Sequence, residues 1–408
     1  MLAKMRPGIR TTIEHRRGLS VNVNVILDQL RHIAATKNSG WRTLPPAAYS
    51  SEALYELEKS KIFKSGWVCV AREDQVPTAG DYLTVEVAGE PVMLVRDHDG
   101  ELRALSNVCR HRWMRLCEDS GNTERLVCPY HAWTYRLDGS LQGAPEMSKT
   151  PGFDASQIAL PRIRHEVWRG FVYVNIDGAA ADLKPQLTDL EPMVESYGVD
   201  DWRVAHTVDC GEYPWDWKVM QDNGECYHHI GAHAETFERN YPARQIYTEC
   251  SEAWLTTVSP CRKESLRTGD DGHGYAPGEF EPVDGLAEWQ RESFFLIYVL
   301  PNFFIYLQPD YGLNMRVFPV SAGRIRMLVD VMLPPKNFEA PNFESGVKNI
   351  VDFFKRFNDE DVFVNSRVQT GLCSEFATPA PLSHLEEHNM HVAWWIASRL
   401  TTDGESAS

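Results

Sequence analysis

The 408-residue chain has no apolar run long enough to cross a bilayer. Its longest, residues 294–300 and 303–307, are separated by Pro301-Asn302, and neither nears the ~20 residues a spanning helix requires, so no membrane segment is expected. Positive charge is also short. The 41 Lys and Arg stand against 57 Asp and Glu, leaving −16 at neutral pH, which excludes general attraction to nucleic acid or anionic lipid. The first ten residues are basic but lack the apolar core of a secretory signal, and a cytoplasmic protein is expected. Nine cysteines, an odd number spread over the whole length, make no disulfide framework and suit thiols or metal ligands in a reducing compartment. The glycine-rich stretch 269–274 follows no strand pattern, so no nicotinamide or flavin site is expected, and redox chemistry here would draw its electrons from a partner. What is present is 43% hydrophobic residues and 12 tryptophans, the composition of two or three folded domains.

Pattern changes divide the chain into an arm at 1–47 that packs with the larger domain, a small β domain at 48–167, the larger domain at 168–400 and a disordered tail at 401–408. The arm holds one helical stretch near 25–36 and ends at Pro45-Pro46. Ser51 before Glu52 reads as the N-cap of a second helix running toward Phe63. Alternating strands at 82–87, 92–96 and 102–105, with turn signals at Asp99-Gly100 and Asp138-Gly139, predict an antiparallel β domain. Further on, the pattern predicts a strand at 170–176, a helix over 183–197, strands at 294–300, 303–307, 315–320 and 326–333, and a long helix over 345–368. Strands grouped before a closing helix point to an α+β fold.

Two constellations carry chemistry. Cys109-Arg-His111 and Cys128-Pro-Tyr-His131 give C-x-H and C-x-x-H with sixteen residues between, each where a strand turns, so that two loops can converge on one metal centre. Thiolates with imidazoles suit tetrahedral zinc or an iron–sulfur cluster, and the ligand count does not choose between them. Cys117, between the pairs, reads as a buried small hydrophobe.

The second constellation places Glu225, His228, His229 and His233 within nine residues. Helix geometry alone favours His229 with His233, at i,i+4, over His228 with His233, so spacing leaves the ligand open. The late helix carries an apolar stripe through Ile350, Phe354, Phe357, Asp361, Val364 and Val368, which puts a carboxylate at a core-facing position. A buried acid needs a metal or a strong partner, whereas Asp359 and Glu360 fall off the stripe. His384-Leu-Glu-Glu-His388 fits a zinc-peptidase pattern, but a charged solvated helix explains it more simply.

C-R-H-R and C-P-Y-H-A-W-T-Y, followed by L-D-G, resemble the Rieske [2Fe–2S] signature of ring-hydroxylating oxygenases. E-C-Y-H-H-I-G-A-H resembles the E/D-x-x-H-x(4)-H stretch by which the α subunits of that family bind mononuclear iron. Glu360-Asp361 with the later Gln369-Thr-Gly-Leu resembles a further family stretch, although Ser366 stands where Glu is common, and the run from Trp217-Lys218 to Glu225 is a residue shorter than usual, which leaves Asn223 unassigned. The resemblance implies a small antiparallel β-sandwich Rieske domain joined to a catalytic domain of helix-grip type. It implies Cys109 and Cys128 on one iron of the cluster, His111 and His131 on the other, and His228, His233 and Asp361 on a mononuclear non-haem Fe(II). Glu225 then matches the family's bridging carboxylate, and electrons would cross between neighbours of a homotrimer from His131 through Glu225 to His228.

The implied activity is that of a terminal oxygenase using O₂ and electrons from NAD(P)H, passed on by a ferredoxin or a flavin reductase, to mono- or dioxygenate a small aromatic or alicyclic compound. The alternative is a monooxygenase or N-demethylase of a quaternary ammonium compound of choline, betaine or carnitine type, held by cation–π attraction. A different class altogether is a non-catalytic Rieske electron carrier or a structural zinc protein. Trp254, Phe294, Phe295, Tyr298, Phe303, Phe304 and Tyr306 are candidate pocket or core aromatics, and Arg110, Arg112 and Arg115 crowd the first cluster loop as a docking patch for an acidic ferredoxin.

Overall fold

The computed structural model describes residues 21–36, 41–224, 231–234, 236–262 and 279–402. Helix α1 (Val23–Ala35) starts at Asn22, whose side chain accepts the Asn24 N–H, and buries Ile26 and Leu30 against the last helix of the chain. In α2 (Glu52–Glu58) the Ser51 hydroxyl accepts the Leu54 N–H, as its position predicts, and one wider turn carries the chain on to Lys64.

The β domain is two antiparallel sheets around one core. Strands Asp81–Val87, Glu90–Arg96, Leu102–Ser106 and Ser120–Asn122 form the first, and Leu126–Val127, Thr134–Tyr135 and Leu141–Gly143 the second. Val87 pairs with Glu90 across Ala88-Gly89, both at positive φ, the two-residue turn whose twist matches a hairpin. Met93, Val95, Leu105, Leu126, Trp133 and Leu141 fill the space between the sheets. A third sheet joins Val68–Arg72, buried throughout, to the hairpin of Arg164–Trp168 and Phe171–Asn175, tying segments on both sides of residue 167.

The larger domain is built on a seven-stranded antiparallel sheet. Its strands are β1 (Arg203–Tyr213), β2 (Tyr247–Cys250), β3 (Trp254–Pro260), β4 (Ser293–Val299), β5 (Phe303–Leu307), β6 (Gly312–Ser321) and β7 (Arg324–Leu333), in the order β1-β7-β6-β5-β4-β3-β2. Both faces of the central strands are covered, which is why β4 reads as one apolar run: Phe294, Leu296 and Tyr298 enter one core, Phe295, Ile297 and Val299 the other. The candidate aromatics divide accordingly. Phe294, Tyr298, Phe304 and Tyr306 share a core with the long helix, while Trp254, Phe295 and Phe303 pack with Trp168, Phe171 and Tyr173.

Helix α3 (Trp217–Asn223) leads toward the histidine segment, α4 (Phe343–Leu372) runs for 30 residues, and α5 (Glu387–Thr401) closes the fold. Three expectations are corrected. The stretch 183–197 is not one helix but four short turns, because Pro185 and Pro192 remove the N–H groups a continuous helix would use. The buried face of α4 ends at Asn365, with Val364 half-buried and Val368 44% exposed, because the last turns of the helix extend past the core it packs on. Finally, α5 is core rather than a solvated helix: His388, Asn389 and His391 are all buried, and His388 hydrogen-bonds the Gln221 carbonyl, so the peptidase-like spacing holds no metal pair with the exposed His384.

Polar side chains join the domains. The Asn302 amide accepts from Cys69 N at 2.9 Å and donates to Cys69 O at 2.8 Å, taking the place of a strand partner. Arg316, buried against Asp330, donates to the Val70 carbonyl, and Arg72 donates to the Trp202 carbonyl at 2.8 Å.

Candidate metal centres

The two cysteine-histidine loops are built alike. Cys109 N–H donates to the Met114 carbonyl at 2.8 Å and Trp113 N–H to the Cys109 carbonyl at 3.1 Å; Cys128 N–H donates to Trp133 and Ala132 N–H to Cys128 at 2.8 and 3.0 Å. Trp113 and Ala132 occupy the matching left-handed position, at φ 59° and 56°. These turns bring all four predicted side chains to one tip, with the His111 and His131 rings 4.8 Å apart. The cysteines are buried on the domain core, whereas His131 is exposed and His111 half-buried. Trp133 stacks on His111 at 4.7 Å and Tyr130 lies over His131 at 3.7 Å, fixing both rings.

The chemistry of the tip fits a bound cluster. The His111 Nδ1 is buried with no hydrogen-bond partner among the protein atoms, a state that a metal bond would relieve. Burial raises the Cys128 pKa, opposed by the backbone N–H groups of Tyr130 and His131 that point at its sulfur. Tyr135 lies 3.3 Å from the Cys109 sulfur and accepts Arg110 N–H at 2.9 Å; burial and the cysteine hold its phenol well above the usual range. Cys117 is half-buried rather than buried, packed against the apolar core, and burial pushes its thiol up to about 11.

The second centre is assembled from α3, the turn at 231–234 and α4. A buried charge group anchors α3: Lys218 Nζ lies 2.6 Å from both Glu58 and Asp216, and Trp217 Nε1 donates to Glu58 at 2.8 Å. Burial opposes the charge on Lys218, but Asp216 and Glu58 outweigh it and raise its pKa. Gln369, from the late motif, accepts Asp216 N–H at 2.9 Å and donates to the Tyr49 carbonyl at 3.2 Å, tying α4 to α3 and to the arm. At the end of α3, Asn223 donates to Asp361 Oδ1 at 2.9 Å, so the residue left unassigned by the short motif touches the site.

His233 is 2% exposed and Asp361 8%, and His233 Nε2 lies 3.0 Å from Asp361 Oδ1. Two donors ~2.1 Å from one metal ion and about 90° apart at it are separated by about 3.0 Å, so this pair fits a shared divalent metal. Glu225 and His228, and with them the choice between His228 and His229, lie outside the described residues. Among the described residues no group of three or more His, Cys, Asp or Glu side chains is arranged to hold a single metal ion. Burial would lower the His233 pKa, but Asp361 and Glu360 raise it to about 9.

Glu360 is the residue the stripe argument missed. Although off the buried stripe, it reaches His233 Nδ1 at 2.6 Å and accepts the Thr236 hydroxyl at 2.7 Å. Its signal in the sequence was its place beside Asp361 in the stretch that ends at Gln369-Thr-Gly-Leu, which named no role for it. Around the ring stand Phe237, edge-on at 5.4 Å, and behind it Phe294, Phe353 and Phe357, with Tyr306 against Phe294 at 5.0 Å.

Residues 66–154 match the family model for a Rieske [2Fe–2S] domain, and residues 197–402, half of the chain, match that for a ring hydroxylating alpha subunit catalytic domain. The chain belongs to the Rieske ring-hydroxylating oxygenase α-subunit family. These two domains imply a Rieske cluster and a mononuclear non-haem iron, and the catalytic domain is what a lone electron carrier or a structural zinc protein would not have. The carnitine monooxygenase oxygenase subunit of Escherichia coli (strain K12) is 36% identical over 206 residues, 50% of this chain and 54% of that protein, so this alignment spans about half of that relative's length. The glycine betaine monooxygenase oxygenase subunit of Pseudomonas aeruginosa (strain UCBPP-PA14) is 26% identical over 402 residues, 90% of this chain and 91% of that protein. The crystal structure of the quaternary ammonium Rieske monooxygenase CntA with L-carnitine superposes with a TM-score of 0.75 at 25% identity, covering 91% of this chain and 99% of that one.

Proposed function

We propose that this protein is the terminal oxygenase of a multicomponent Rieske system and that its substrate is a small quaternary ammonium compound rather than an aromatic hydrocarbon. The observation that carries the reading is the convergence of His233 and Asp361 at 3.0 Å beside a wall of phenylalanine rings, in a chain that aligns over nine-tenths of its length with a glycine betaine monooxygenase subunit. A quaternary ammonium head has no proton to donate, so aromatic faces are its natural contacts, and each desolvated cation–π contact contributes on the order of 2 kcal/mol.

Cys109 and Cys128 would hold one iron of the cluster and His111 and His131 the other. His228, His233 and Asp361 would hold the mononuclear iron, and Glu225 would link His228 to a Rieske histidine. When bound, the cluster passes single electrons and the ferrous ion activates dioxygen. The protein keeps the site dry through the Phe237, Phe353 and Phe357 rings and places the substrate carbon beside it. Electrons arrive from NAD(P)H through a ferredoxin or flavin reductase, for which the exposed Arg110 and Arg112 offer a basic docking patch; Arg115 already pairs with Glu86. Assembly as a homotrimer is supported by large apolar side chains left in solvent at the cluster tip, with Trp113 81% exposed, and beyond α4, with Phe376 92% exposed.

The test is turnover under ¹⁸O₂ with a surrogate reductase against glycine betaine, carnitine, choline, benzoate and biphenyl. Labelled oxygen in the product of a quaternary amine, with consumption of O₂ tied to that substrate, is the expected outcome; oxygenation of the aromatic members alone would move the protein to the ring-hydroxylating reading.

A further inference from the structure

We propose that Glu360 is a positioning residue for the mononuclear iron, holding His233 by its far nitrogen so that Nε2 is presented beside Asp361. The inference rests on the reading of His233 and Asp361 as ligands and goes beyond it by assigning the carboxylate next in sequence. Consecutive residues on a helix point about 100° apart, so Glu360 and Asp361 cannot both face the same side of α4. The turn that carries His233 lies across the helix and uses both directions. Asp361, the shorter side chain, meets Nε2 at 3.0 Å, and Glu360, the longer one, meets Nδ1 at 2.6 Å on the opposite edge of the same ring.

Carboxylate oxygens only accept, so Nδ1 keeps its hydrogen toward Glu360, and a metal shared with Asp361 would take the place of the hydrogen between Nε2 and that carboxylate. The Thr236 hydroxyl donates to the same Glu360 oxygen at 2.7 Å and fixes it, while Phe237 stands edge-on to the ring at 5.4 Å. Glu360 itself retains 26% exposure of its side chain, against 2% for His233, so its negative charge is anchored at the rim of the site rather than inside it. A charged acceptor on Nδ1–H makes Nε2 a stronger donor and removes the ring's rotational freedom before metal arrives; loss of such a partner weakens metal binding by about 10- to 100-fold.

The experiment uses the full chain with its cluster in place, stripped of mononuclear iron and titrated with Fe²⁺, the bound ion being read by the EPR signal of its nitric oxide adduct. Glu360→Gln keeps the shape and an accepting oxygen but loses the charge; we expect its Fe²⁺ affinity to fall about 10-fold or more, with an altered nitric oxide signal and an unchanged cluster spectrum and melting temperature. Thr236→Val, which leaves the carboxylate in place, should give a smaller fall, and the double variant should bind no worse than Glu360→Gln, because the hydroxyl acts through the carboxylate. Unchanged affinity and signal in Glu360→Gln, beside lost iron in His233→Ala, would overturn the role of Glu360 alone. Retained iron in His233→Ala would overturn the ligand reading beneath it.

Discussion

Asp361 shows how far a single residue can be read. On a helix whose buried face is otherwise Ile350, Phe354 and Phe357, an acid is costly unless something compensates it, and the fold supplies His233 at 3.0 Å and Asn223 at 2.9 Å. The pairing of the two cysteine-histidine loops was also readable from their spacing, and the two turns bring the His111 and His131 rings to 4.8 Å. The reach of Glu360 to His233 was not legible, although the residue stands in the late motif: periodicity reports which side of a helix is buried, not how far a long side chain reaches round it. Two substitutions test the remaining ligand assignments. Glu225→Gln should retain its iron and lose turnover by about tenfold or more, equivalent to ~1.4 kcal/mol on the rate-limiting barrier; full activity would remove the bridge from the scheme. His228→Ala should lose mononuclear iron by metal analysis while His229→Ala keeps it, and the reverse result would exchange their roles.

At the scale of elements, α5 carries a consequence for pH. His388 is buried against Tyr298 and the Gln221 carbonyl, and burial lowers its pKa to about 3, with His391 adding to the effect and the carbonyl opposing it. The folded protein therefore keeps His388 neutral where the unfolded chain, with an ordinary value near 6.5, takes up a proton. The stability this contributes is complete above about pH 6.5 and declines toward pH 3, by up to ~1.4 kcal/mol per pH unit. Asp222, on α3 beside it, acts in the opposite sense: burial lifts it to about 7 despite Tyr49 and Lys218, so it is protonated in the fold where the unfolded chain is ionised, and its contribution shrinks as pH rises from about 4 to 7. Replacing His388 by Gln should lower stability at pH 7 and flatten the decline between pH 6.5 and 4 in thermal melts, whereas Asp222→Asn should steepen it; unchanged slopes in both would refute the assignment. None of this follows from the sequence of α5, where the charges of Glu386 and Glu387 suggest a solvated helix and only packing reveals that the next five residues are core.

At the scale of the whole molecule, the exposed tip at Trp113, Met114 and Tyr130, Phe363 on α4 and Phe376 beyond it are surfaces a single chain leaves to water. On the proposed trimer, Trp113→Glu is expected to shift the species seen by sedimentation to monomer and to abolish turnover while the visible spectrum of the cluster stays unchanged; a parent chain that sediments as a monomer would remove the assembly from the proposal, and a variant that stays trimeric would place the subunit contact elsewhere. The sequence by itself determined the class of the protein. Two ligand sets in order, an antiparallel β domain before a sheet and a long helix, and an acid on a buried stripe are all local patterns, set by spacing and by the cost of burying charge. Tertiary structure alone decided which aromatic residues stand around His233 and which at the domain interface, that Asn302 and Arg316 join the domains, that Glu360 meets His233, and that α5 packs on α3. Those relations depend on strand order and on how helices cross, and they bring together residues more than a hundred positions apart in the chain, where periodicity and spacing carry no information.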